Sequence, residues 1–190
     1  MLVASQKRKE NIAEYLLYMW QIEDIIRAFG LNIEKIRHNI IDEIPDVDDD
    51  TRRRITEWYE SLIDMMRREE VTTAGHLQIN NNTLGELADL SRRLLADGRY
   101  EDYTRAYYDA LPVIVELRSK AGDHPAGEIE TCFNSLYAML LMRMRRQDIS
   151  EATQQAVAKV TRMIALLAAY YKKDEAGELF GKDDETEADA

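Results

Sequence analysis

At 190 residues the chain is long enough to bury a substantial core in one domain, and its composition of 45% hydrophobic and 32% charged residues is that of a globular protein. With 3 Pro and 8 Gly it is too poor in turn formers for a many-stranded β protein. The formal net charge is −11, and most of the excess falls after Lys173, where eight acidic residues face only Lys182. Such a surface repels the phosphates of nucleic acids and anionic lipids, so both are disfavoured as partners.

The dominant signal is helical periodicity. Ile12, Tyr15, Met19, Ile22, Ile26 and Phe29 recur at steps of three and four. That spacing makes one apolar stripe which must be covered by other helices. It predicts a first helix capped by Ser5 and running to about Phe29, with Gly30 as its left-handed stop. Asn32 caps a second segment, Ile33 to about Glu43, ended by Pro45. The acidic turn 46–50 precedes a third helix with the stripe Ile55, Trp58/Tyr59, Leu62 and Met65/Met66.

The fourth helix can start near Thr73 or at Thr83, which opens the capping-box pattern Thr83-x-x-Glu86. The earlier start is favoured, because the stripe of Leu84, Leu87 and Leu94 extends back through Asn80 to Leu77. A fifth helix, about Tyr100 to Lys120, presents Tyr100, Tyr103, Tyr107, Leu111 and Ile114 and contains Pro112, a kink site. A sixth runs from about Ala126 to Arg146. Ser150-x-x-Thr153 opens the last long helix, to about Asp174, with a stripe from Thr153 through Val157, Val160, Ile164 and Leu167 to Tyr171.

Short connections between long helices imply antiparallel neighbours. The expected fold is therefore all-α: an up-and-down bundle of six or seven helices over residues 1–176, followed by a short disordered acidic tail at 177–190. The stretch Gly98-x-Tyr100-x-x-Tyr103 followed by Tyr107-Tyr108 faintly resembles a tetratricopeptide helix pair, but no second unit follows at the required period.

Chemistry is harder to find. Cys132 is the only cysteine, so no intramolecular disulfide forms, and its place in an apolar helical stripe reads as a packed thiol. His38, His76 and His124 lie on different segments, and none belongs to a Glu-x-x-His pair. No His-x-x-x-His, Cys-x-x-Cys, Gly-x-Gly-x-x-Gly or phosphate-loop signature occurs. The paired arginines near helix ends complement helix dipoles and form no continuous basic strip.

Two arrangements remain as candidates. Glu57-x-x-Glu60 and Glu86-x-x-Asp89 stand on successive helices, and two facing carboxylate pairs can hold Mg²⁺ against substrate phosphates. The pattern resembles the motif of the all-α nucleoside-triphosphate pyrophosphatases, the MazG-like and dUTPase-like family. That resemblance implies Glu57, Glu60, Glu86 and Asp89 as metal ligands. At about 100° per residue, however, both pairs lie on the far side of their helices from the apolar stripes, where solvated carboxylates are ordinary. The second candidate is the polar cluster around His76 and Asn80. Asn80 falls in core register, where a buried amide fixes helix register or lines a small polar pocket with His76 and a fifth-helix tyrosine such as Tyr107.

The stretch from Lys7 to Asp24, KRKENIAEYLLYMWQIED, resembles the N-terminal signature of an uncharacterised domain-of-unknown-function family from Bacteroidetes, and Gly75-His76-Leu77 is similar too. The resemblance implies a bacterial, all-helical protein and brings no activity or site residues. The uncharged, largely apolar run Thr131 to Met142 is too short to cross a bilayer. No secretory signal is recognised, so a cytoplasmic location without membrane insertion is expected. The leading expectation is a non-enzymatic helical scaffold that binds another protein or a second copy of itself, with no cofactor. The alternative is a Mg²⁺-dependent pyrophosphatase-like enzyme.

Overall fold

A computed structural model describes residues 2–120, 122 and 126–180 of the chain. Among them are eight α-helices, one π-helical turn and no strand, so the all-α expectation holds. The helices are α1 (Leu2–Glu10), α2 (Ile12–Ala28), α3 (Ile33–Ile36), α4 (Asp49–Arg68), α5 (Gln78–Ala96), α6 (Glu101–Ser119), α7 (Glu128–Met144) and α8 (Glu151–Glu175).

The helix beyond the expected six or seven arises at Asn11. Its side-chain oxygen accepts the Ala13 N–H at 2.9 Å, which interrupts the segment expected to run unbroken from Ser5. A short amide side chain competes with the helix ladder in this way. Ser5 therefore lies inside α1 and caps nothing.

Other boundaries follow local chemistry. Gly30 takes φ +65°, and the Gly30 and Leu31 N–H groups return to the carbonyls of Arg27 and Ile26, closing α2 with a left-handed cap. Asn32, Asp48 and Ser150 cap α3, α4 and α8 by accepting the backbone N–H three residues on. After α3 the chain widens into a π turn, Arg37–Ile41. The carbonyls left at its end are taken by the Arg52 guanidinium, which donates to Ile41, Asp42 and Ile44 at 2.8–3.1 Å. Pro112 sits inside α6, where it cannot donate to the Tyr108 carbonyl.

The chain divides into two compact units, one of residues up to Glu10 with Glu14–Thr83, the other of Asn11–Ala13 with the residues from Leu84 onward. In the first, Tyr59, Leu62, Ile63 and Met66 of α4 are buried together with Ile36 and Ile41. In the second, α6, α7 and α8 pack on one another. Tyr170 near the end of α8 meets Tyr100 and Asp102 at the start of α6, so these two helices run antiparallel. Of the stripe expected on α8, Val160, Ile164, Leu167 and Tyr171 are buried, Val157 is half-buried and Thr153 is exposed.

The expected tail begins at Gly177, and its residues 181–190 lie outside the described ones. Phe180 packs edge-on against Tyr100, under the Arg93 guanidinium.

Gly30 has no atom within 4 Å of where a Cβ would stand, so its replacement is opposed by backbone conformation alone. Gly30→Ala is expected to cost about 1 kcal/mol, read as a lower urea midpoint at unchanged slope.

Candidate functional site

One densely bonded polar group of the interior is hidden by composition, Glu23. It occupies core register on α2, four residues after Met19 and three before Ile26, and is 0% exposed. Burying a carboxylate is costly unless its lone pairs are filled. Here Oε1 accepts the Leu77 N–H at 2.9 Å and the Asn80 side-chain amide at 2.7 Å. Oε2 lies 2.6 Å from Nδ1 of His76, with the imidazole N–H as donor. The group thus sits at the first turn of α5, where the helix dipole favours negative charge.

His76 is held from a second side. Its ring stacks on Trp20 with centroids 4.0 Å apart and planes inclined by 12°. Trp20 and Glu23 are three residues apart on α2, so both grip the same imidazole. The segment leading to His76 is fastened by Arg27, which donates to the carbonyls of Val71 and Gly75 and pairs with Asp24. Gly75 takes φ +83°, the left-handed conformation that lets the chain turn into α5. Glu69 accepts the Gln78 N–H, filling the next orphan donor of α5.

α5 therefore begins at Gln78, between the two starts that the sequence allows. Thr83 caps nothing; it is buried inside the helix and its hydroxyl donates to the Ile79 carbonyl. His76 and Asn80 meet at Glu23. Tyr107 turns to α7, donating to Glu128 at 2.6 Å, and burial with that carboxylate as neighbour raises the pKa of its hydroxyl. A carboxylate-held imidazole is an arrangement used in general-base catalysis. In this cluster, however, both carboxylate oxygens are already committed to ordering the chain before α5.

The four carboxylates read as possible metal ligands are all exposed. Glu57 and Glu60 border a surface hollow of about 400 Å³ shared with Arg37, Arg52 and Arg53, and Glu57 faces the Arg53 guanidinium. On α5, Glu86 accepts the Tyr171 hydroxyl at 2.8 Å and Asp89 pairs with Arg92. Among the described residues, no three of His, Cys, Asp and Glu gather closely enough to hold a metal ion. His38 is exposed, and His124 lies outside the described residues. Cys132 is fully buried, and burial pushes its thiol up to about 12, which leaves it protonated at neutral pH.

Residues 1–178 match the profile of a domain of unknown function, DUF4924. The chain belongs to that family. No curated protein and no solved structure matches it. DUF4924 carries no established activity, so whatever this member does must be argued from its own surface. Among the described residues, no helix is long and apolar enough to cross a membrane.

One surface of this DUF4924 chain stands out, the outer face of α6. The inner face is filled by Tyr103, Ala106, Ala110 and Ile114, all buried, with the Tyr103 hydroxyl bonded to Ser91 at 2.6 Å. On the opposite side Tyr108 is 62% and Val115 58% exposed, with Pro112 exposed between them. At about 100° per residue these three fall within roughly 60° of one another, a narrow apolar line. The other large exposed apolar side chains, Val3, Ile79 and Met144, stand on three other helices. The spacing of Tyr108, Pro112 and Val115 is readable in the sequence, but the stronger stripe through Tyr103, Tyr107 and Ile114 masks it.

The clasp at Glu23 sets the first test. Glu23→Ala leaves donors of Leu77, Asn80 and His76 unmatched and is expected to cost about 3 kcal/mol, while Glu23→Gln keeps an acceptor and costs about half as much. Chemical denaturation measures both; equal and negligible losses would contradict the assigned bonds.

Proposed function

We propose that this DUF4924 domain is a non-enzymatic helical module that works by contact with another protein chain. The observation that carries the reading is the outer face of α6, where Tyr108, Pro112 and Val115 form an apolar line on a helix whose other face is already occupied. Tyrosine and its apolar neighbours bury well at protein interfaces and gain nothing from standing in water. Three further facts favour contact over catalysis. The buried Glu23–His76 pair is spent on structure, the thiol of Cys132 is sealed, and the carboxylates of α4 and α5 face solvent, an arginine or, for Glu86, the Tyr171 hydroxyl.

The test compares wild-type protein with Tyr108→Glu/Val115→Glu as bait in a native pull-down from the source cell, read by mass spectrometry. Both side chains are exposed, so the double variant is expected to keep its circular dichroism spectrum and its Tm within a few degrees. A partner retained by wild type is expected to fall at least roughly ten-fold, since a charge placed in an apolar contact must be desolvated. Calorimetric titration with Mg²⁺ and nucleoside triphosphates is expected to show neither heat nor phosphate release. Turnover that vanishes in Glu57→Ala and Glu86→Ala would replace this reading with an enzymatic one.

A further inference from the structure

We infer that the occupant of the α6 face is a second copy of this chain, laid antiparallel across α6 about a two-fold axis beside residues 110 and 111. This deepens the interaction reading above and rests on it. The argument comes from where the charges stand beside the apolar line. Arg105 and Glu116 are both exposed and lie on the same flank of it, about 20° apart in projection but three helical turns apart along the axis. On a single helix they are about 16 Å apart and cannot meet. In an antiparallel pair, residues on one flank face the same flank of the other copy in reverse order. Arg105 of each copy then stands opposite Glu116 of the other, and the contact is made twice.

The apolar residues fit the same register. Tyr108 of one copy meets Pro112 of the other, and the aliphatic stem of Arg105 lies over Val115 of the other. Glu116 is already oriented by Lys120, whose ammonium lies 2.6 Å from its Oε1. A parallel pair would instead set Arg105 and Glu116 of the two copies on opposite sides of the contact, where neither charge meets its complement. Asp109, on the same flank and nearest the axis, faces its own counterpart, so Asp109→Asn is expected to tighten the pair.

A face three turns long covers less than the standard protein interface, so the dimer is weak and concentration-dependent, with half-association expected at tens to hundreds of micromolar, a rough scale. Sedimentation equilibrium of the full chain from about 5 µM to 1 mM reads it. Arg105→Glu and Glu116→Arg are each expected to weaken association at least roughly five-fold, with unchanged thermal melts. Mixed one to one, the two variants regain it, because both cross-contacts of the mixed pair are then of opposite charge. The doubly swapped chain regains it as well.

Wild type that stays monomeric to 1 mM, single variants that associate like wild type, or a mixture that fails to associate would each overturn the antiparallel pair. A monomeric wild type whose Tyr108→Glu/Val115→Glu form still loses a cellular partner ends this inference and leaves the interaction reading standing. Absence of both effects ends both.

Discussion

The structure turns on a carboxylate placed where a leucine would serve a simple helical bundle. Glu23 lies in the apolar register of α2 and is sealed from solvent, so each of its oxygens must be matched by a donor. The donors come from one short stretch, His76 to Asn80, more than fifty residues further along the chain. Satisfying Glu23 therefore fixes where α5 begins and how its first turn lies against α2. It also turns His76 onto the face of Trp20, and Arg27 fastens the loop that leads there. An apolar residue at position 23 would bury equally well and would specify none of this.

Much of the architecture was legible because helix formation is local. Gly30, Asn32 and Ser150 act at their own positions through their own side chains or backbone freedom, and each falls where the pattern places it. The break at Asn11 is not legible in this way, since Asn11 lies just ahead of the stripe that begins at Ile12 and the periodicity does not mark its amide as one that interrupts the ladder. Asn80 and His76 were recognisable as a polar cluster in core register, but their shared partner was not. Glu23 resembles any other surface acid in a chain with 36 acidic residues, and only the fold brings it to α5. Tyr107 shows the opposite failure: its register pointed inward, and its hydroxyl turned out to serve Glu128 within the second unit.

The functional reading rests on an asymmetry in α6. A helix that shelters one stripe normally presents charge on the other side, as α4 does with Arg53, Glu57, Glu60 and Asp64. α6 presents an apolar line with opposite charges at its two ends. Nothing within the described fold requires that arrangement, and proline within the line costs a helical hydrogen bond. On the proposed reading, contact with another chain gives these residues a use, and the order of the charges favours a reversed copy as that chain.

The Leu77 amide reports most directly on the clasp at Glu23. Its N–H precedes α5 and has no helical acceptor; its bond is to the buried Glu23 Oε1. Hydrogen exchange followed by NMR on the full chain is expected to find this amide protected to the same degree as the interior of α2, because releasing it requires opening the buried cluster. Exchange at the rate of an exposed loop amide, while α2 remains protected, would contradict the account.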